Sequence, residues 1–165
     1  MSKAAFRVAL LDVRADRAAF KSGVAPLDNY FRQQVSQDIR RRVTACFVAL
    51  TADQRIAGYY TLASSSILLA ELPKAVGKKL PRYPSVPAVR MGRLAVDSDF
   101  KGRGLGGALL ADALERAAGA EIAACALVVD AKGEIAKQVY LHHGFMALPD
   151  APLTLFLPLA GIRAL

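Results

Sequence analysis

The stretch DFKGRGLGGALL, residues 99–110, constrains this chain more than any other. Gly102 and Gly104 lie between an apolar, β-rich run ending at Val96 and a helical pattern beginning near Leu105, and Gly106 and Gly107 fall in its first turn. Backbone without Cβ atoms at the positive end of a helix lets N–H groups approach a ligand closely, so the arrangement predicts a phosphate or pyrophosphate cradle. Lys101 and Arg103 add charge at its mouth. Gly102, Gly104 and Gly107 also spell the dinucleotide fingerprint GxGxxG, and Asp130 ends the next strand about where a ribose-binding acid belongs. Against that reading, DSDFK separates the strand from the first glycine, and the 35 residues after Asp130 are too few for the second half of such a sheet. A nucleoside-triphosphate loop fails because Ala108 and Leu109 follow Gly107, where Lys and Ser or Thr are required.

The pattern around the loop predicts one α/β domain over residues 1–165 with a mixed, mostly antiparallel central sheet flanked by helices. Strands are expected over 6–13 and 88–96, and a helix over 27–42 with Leu27, Tyr30, Phe31 and Val35 on one side. Residues 43–50 and 55–67 read as a hairpin about TADQ, and 72–87 as a short helix and a loop. A helix over 105–119, a strand over 122–130, a helix over 134–143 and a last strand near 153–159 complete the order. In the first of these helices Leu109, Leu110, Ala113, Leu114 and Ala117 form a broad apolar arc that packs on a sheet.

Composition narrows the function classes. The chain has a net charge of +8, and residues 1–82 hold 14 Lys and Arg against 6 Asp and Glu, whereas residues 83–165 hold 8 of each. A basic half beside a neutral half suits a phosphate-rich partner next to a small-molecule site, and equally an acidic protein partner or a solvated surface. No run is apolar enough to span a bilayer and no secretory leader precedes the domain, so a cytoplasmic protein is expected. Cys46 and Cys125 sit in apolar runs as small hydrophobes. His142 and His143 are adjacent on a helix with no third ligand in sight, so no metal is assigned.

GRLAVDSDFKGRGLGGALL resembles the acyl-CoA-binding motif of the GNAT acetyltransferase superfamily, Q/R-x-x-G-x-G/A after a strand, with Lys101 in the first position in place of the commoner Gln or Arg. AKQVYLHHGFMAL resembles the closing signature of the same superfamily through Ala136, Tyr140, Gly144 and Phe145, with Gly133 where an Asn is common. The resemblance implies a GNAT-type fold with splayed strands at the acyl-CoA site. It implies that acetyl-CoA is bound by Lys101, Gly102, Arg103, Gly104, Leu105, Gly106 and Gly107, with its pantetheine arm against the backbone of Leu94, Ala95 and Val96. An oxyanion donor would be a strand amide near Leu94 or Ala95.

Acyl transfer to an amine needs a neutral amine and a proton for the departing thiolate. Tyr140 is the expected proton donor, since a phenol of pKa about 10 is protonated at working pH. The strand before the glycine loop, AVRMGRLAV, carries no Glu to serve as base and offers Arg90 and Arg93 instead. A lysine amine costs roughly 4 kcal/mol to deprotonate at neutral pH, whereas an α-amine of pKa about 7.7–8.0 is already substantially neutral. A site with arginine and no carboxylate suits an α-amine attached to a polyanion, with Arg93 as a substrate contact or as a structural strand residue.

LDNYFRQQ, IAGYYTLASSSI, LPKAVGKKLPRYP and VRMGRLAVDSDFKGRGLGGALL, in that order, resemble the toxin branch of the superfamily found in bacterial toxin–antitoxin pairs. That resemblance implies N-acetylation of the α-amine of aminoacyl-tRNA, a block of translation, and neutralisation by a ribbon-helix-helix antitoxin. It places RNA or the antitoxin on Arg32, Arg40, Arg41, Arg42, Lys78, Lys79 and Arg82, and leaves a homodimer open. The alternatives are acetylation of a protein N-terminus, peptide or small amine, and a non-catalytic protein that binds coenzyme A or nucleic acid.

Overall fold

A computed structural model describes residues 6–162. Seven strands form one sheet in the order β1-β2-β3-β4-β5-β7-β6. They are β1 (Arg7–Leu10), β2 (Ala45–Leu50), β3 (Ile56–Leu68), β4 (Ser85–Val96), β5 (Ala126–Asp130), β6 (Met146–Leu148) and β7 (Ala151–Pro158). The helices are α1 (Ala25–Gln33), α2 (Val35–Arg40), α3 (Lys74–Gly77), α4 (Leu105–Gly119) and α5 (Glu134–His142). β1–β2, β2–β3, β5–β7 and β6–β7 pair antiparallel, and β4–β5 pair parallel. The expected mixed, mostly antiparallel sheet is therefore what forms. Among the described residues no helix is long and apolar enough to cross a membrane.

The chain divides into two compact units, one of the residues up to Ala63 with Gly92–Ala113, the other of Ser64–Met91 with the residues from Leu114 on. The first has an aromatic core. Phe31 stacks on Tyr59 at 4.3 Å and Phe20 meets both edge-on, with Val35, Cys46 and Val48 packed around them. The second has a largely aliphatic core of Ile67, Leu72, Val86, Ala88, Ala126, Val128, Leu148 and Phe156.

Four local expectations change. The helix over 27–42 is two helices, broken at Gln34 (φ −123°). The break keeps Phe31 and Val35 buried and lets the Tyr30 hydroxyl donate to Asp38 at 2.7 Å, eight residues on, a reach a straight helix does not allow. β1 stops at Leu10 because Asp12 opens a turn, its carbonyl accepting from the Ala15 amide at 2.9 Å. β5 starts at Ala126 rather than 122, because its partner β4 has Pro87, with no N–H, just before the first paired residue Ala88. Residues 146–148, unassigned in the sequence, pair with β7 across a Pro149–Asp150 turn.

Candidate active site

The glycine segment is built from its flanks. Asp97 follows β4 and is buried, and its carboxylate accepts from the amides of Asp99 (3.0 Å) and Lys21 (3.1 Å) and from Arg55 (3.3 Å). The bond from the Asp99 amide caps a single 3-10 turn over Ser98–Phe100, so DSDFK is a folded bridge rather than slack. Arg55 also pairs with Asp99, and the guanidiniums of Arg55 and Arg103 lie 4.8 and 5.3 Å from the Phe100 ring centroid. Arg103 is thus steadied on an aromatic at the loop's mouth. Lys101, expected to face the phosphates, donates instead to the Ser22 carbonyl.

Beyond the bridge, Gly102 and Gly104 take φ of 79° and 77°, the left-handed region that side chains disfavour. A Cβ at either would meet nothing within 4 Å, so the glycines serve the backbone path and the openness of the loop, not a crowded neighbour. α4 then starts at Leu105, and the Ala108 amide is the first to bond back, to the Gly104 carbonyl at 3.1 Å. The amides of Leu105, Gly106 and Gly107 precede it and have no place in the helical ladder, which is the donor set a pyrophosphate requires.

α4 lies close on the strands of its own unit. A Cβ on Gly58 of β3 would come within 2.9 Å of both the Ala95 carbonyl oxygen and Leu109, and one on Gly106 within 3.9 Å of Val96. Leu109 and Leu110 are buried there, and Asp112 accepts a hydrogen bond from Tyr60. The segment Leu94–Val96 therefore runs beside the start of α4. β4 continues to Val96, whereas its parallel register with β5 ends at Met91–Val129.

The two β4 arginines are engaged. The Arg93 guanidinium stands 3.5 Å from the centroid of the Tyr30 ring, while Arg90 pairs with Asp130, which also accepts from Thr154 at 2.9 Å. Asp130 is thus committed to a cross-strand network and not to a ribose. Nothing in the sequence pointed to Asp97–Arg55, Asp130–Arg90 or Gly58, because their partners lie tens of residues away.

Tyr140 belongs to the second unit, in the last turn of α5, which ends in a Schellman motif. Gly144 is left-handed (φ 95°), its amide donates to the Leu141 carbonyl at 3.0 Å, and the Phe145 amide donates to the Tyr140 carbonyl at 3.1 Å. The apolar contact that accompanies such a cap is Phe145 against the Tyr140 ring, edge-on at 5.4 Å. The spacing Tyr-x-x-x-Gly-Phe is therefore a helix stop that fixes the tyrosine ring. Burial, and secondarily the charge of Asp130, pushes the phenol above its ordinary pKa. Among the described residues its hydroxyl has no hydrogen-bond partner, leaving it able to donate outward. His143 is spent locally, with Nδ1 2.8 Å from the Val139 carbonyl oxygen, and among the described residues no cluster of three or more His, Cys, Asp or Glu is placed to hold a metal ion.

The chain is similar to known proteins in both sequence and fold. A tRNA-acetylating toxin of Mycobacterium tuberculosis is 38% identical over 152 residues, 91% of this chain and 90% of that protein. A Tyr-to-Phe mutant of KacT superposes with a TM-score of 0.86 at 28% identity, covering 94% of this chain and 95% of that one. AtaT complexed with acetyl-methionyl-tRNAfMet superposes with a TM-score of 0.85 at 29% identity, covering 93% and 94%. AtaT is also solved within AtaTR bound with AcCoA (27% identity, TM-score 0.80, 94% and 95% covered) and as a Tyr-to-Phe mutant bound to the C-terminus of the antitoxin AtaR (25%, 0.78, 93% of each). The model of the acetyltransferase (GNAT) domain matches residues 16–153, across both units, and the chain belongs to the GNAT acetyltransferase family.

Proposed function

We propose that this chain transfers the acetyl group of acetyl-CoA to the α-amine of an aminoacyl-tRNA and so acts as a translation-blocking toxin. The observation that carries this reading is the match to a tRNA-acetylating toxin over nine-tenths of the chain, on a family fold whose fourth strand bears no carboxylate base. The family match runs through both units, which supports reading residues 1–165 as one acetyltransferase domain.

Acetyl-CoA is the acetyl donor in this reading. Its pyrophosphate lies on the amides of Leu105, Gly106 and Gly107, with Gly102 and Gly104 shaping the approach, Arg103 supplying charge at the mouth, and Lys101 adding its charge from its place at the Ser22 carbonyl. The pantetheine arm pairs with Leu94, Ala95 and Val96. Supporting that, the β4–β5 ladder ends at Met91 while the other side of β4 stays paired, as in the Asp97 amide to the Ala57 carbonyl at 2.8 Å.

The amine nitrogen attacks the thioester carbonyl carbon, its electrons move to the oxygen, and a strand amide near Leu94 or Ala95 stabilises the oxyanion. As the carbon–sulfur bond breaks, Tyr140 gives its phenolic proton to the thiolate, and the proton shed by the acylated nitrogen returns to solvent while the phenolate is reprotonated. A phenol pushed upward by burial stays a donor throughout the neutral range. An α-amine made less basic by the neighbouring ester needs no strong base, which fits the absence of one.

Arg93 is the proposed contact to the aminoacyl end, held in place by Tyr30. Arg32, Arg40, Arg41 and Arg42 in the first unit and Lys78, Lys79 and Arg82 in the second, all exposed, are the proposed phosphate contacts for RNA or the contact for an antitoxin. A ribbon-helix-helix antitoxin as the neutralising partner, a homodimer, and a cytoplasmic location complete the reading. The test is incubation with radiolabelled acetyl-CoA and total aminoacylated tRNA beside uncharged tRNA, peptides and polyamines. Label confined to charged tRNA is expected; equal labelling of peptides or amines would replace the toxin reading with a general acetyltransferase.

A further inference from the structure

The aliphatic core of the second unit has a pocket at its edge. An apolar pocket of about 420 Å³, partly open to solvent, lies against it, walled by Ile67, Leu72, Val86, Met146 and Phe156, with Cys125 on the same lining. An opening of this kind is not a packing void of the interior, where spaces larger than a water molecule are few. A space of this size falls instead in the range of small-molecule pockets, about 300–1,000 Å³.

Its walls are apolar except at Lys79, the one charged residue among the lining side chains. Lys79 belongs to a segment, 74–82, that carries Lys74, Lys78 and Arg82 as well and no acid. The cavity touches Ala126, the first residue of β5, whereas Asp130, whose charge reaches Tyr140, is the last. At about 3.3 Å per residue the strand puts roughly 13 Å between those ends, so the cavity is distinct from the surroundings of the tyrosine.

We propose that this cavity binds an amphipathic monoanion, an unbranched aliphatic chain lying in the aliphatic core with its carboxylate at Lys79. Such a ligand fills the pocket beside residues 72–80 and stabilises the folded chain by mass action. The probe is decanoate added to the full-length protein, read by iodoacetamide labelling of Cys125 with mass spectrometry and by thermal melting. Cys46, almost wholly buried, serves as the internal reference for global opening. Decanoate is expected to slow Cys125 alkylation at least tenfold and to raise the melting temperature with dose, and decanol to protect several-fold less. Lys79→Gln should bring the two ligands level, and Val76→Phe should abolish protection by occupying the space. Unchanged alkylation and melting in decanoate overturn the site, and equal protection of the unaltered protein by decanol overturns the role of Lys79. Should Val76→Phe fail to fold, the Lys79→Gln comparison still decides. Decanoate binding is independent of acetyl transfer, so either result stands whether or not charged tRNA is the acceptor.

Discussion

Gly102 and Gly104 precede α4, and Gly144 follows α5, all three in the left-handed region. Before α4 the turn leaves the first amides of the helix open, whereas after α5 the same backbone conformation consumes amides, those of Gly144 and Phe145, on the last carbonyls. The helix N-terminus is thereby left free for an anion, and the C-terminus is closed so that one side chain, Tyr140, keeps a fixed pose. In the proposed reaction the first end supplies binding and the second supplies the proton, so alterations at the two ends should separate in kinetics.

The largest effect is expected for Tyr140→Phe. The ring and its contact with Phe145 remain, so melting temperature and acetyl-CoA affinity should hold while kcat falls by about 10²–10⁴, the usual worth of a general acid. Steady-state kinetics with charged tRNA checks this; a rise in KM at constant kcat would move the proton donor elsewhere.

Gly104→Ala is next. With open space around the new methyl, the penalty is conformational, about 1–2 kcal/mol for a left-handed non-glycine residue. Calorimetry should show acetyl-CoA binding weakened about tenfold, with kcat at saturation little changed. An unaltered Kd would mean that the loop does not hold the pyrophosphate. Gly144→Ala carries the same penalty but spends it on stability, lowering the melting temperature by about 2–4 °C per kcal/mol for a domain of this size. If it instead weakened acetyl-CoA binding as much as Gly104→Ala does, the contrast between the two ends would fail.

The smallest effect concerns acid. Asp28 is buried, which by itself raises its carboxyl pKa, but hydrogen bonds from the Ser22 amide and hydroxyl and the Gly23 amide outweigh burial and hold it below the ordinary value. A carboxyl lowered in the folded state stabilises fully above its unfolded pKa of about 4 and loses that contribution as pH falls. The gap in melting temperature between the native chain and Asp28→Asn should therefore be widest near pH 7 and narrow below pH 4. Because the Ser22 carbonyl receives Lys101, acid should loosen the surroundings of the glycine loop. The phenol of Tyr140, pushed upward, loses nothing on that side. A gap that stays constant with pH would show that Asp28 keeps its unfolded pKa.

Where the residues that make a feature are close in sequence, the pattern could be read directly. The glycine loop, the helix after it and Tyr140 with its Gly-Phe depend on spacings of one to five residues, and they came through with their boundaries nearly intact. The helix over 27–42 was less legible, because its break serves an aromatic core assembled from Phe20, Phe31 and Tyr59, which no local period records. Arg93 could not be resolved between substrate contact and strut from its neighbours, and in the fold it stands against Tyr30, more than sixty residues earlier.

What the sequence determined by itself is the class of fold, the family, the open helix start proposed for the pyrophosphate and the candidate acid, since each rests on local backbone chemistry. Tertiary structure alone decided that Lys101 is held by Ser22, that Arg90 is consumed by Asp130, that Gly58 lies too close to Leu109 of α4 to carry a side chain, and that the second core has a pocket at its edge. The physical reason is common to all four: long-range contacts and packed volume depend on chain segments brought together only by folding, and their partners leave no periodic trace in either segment.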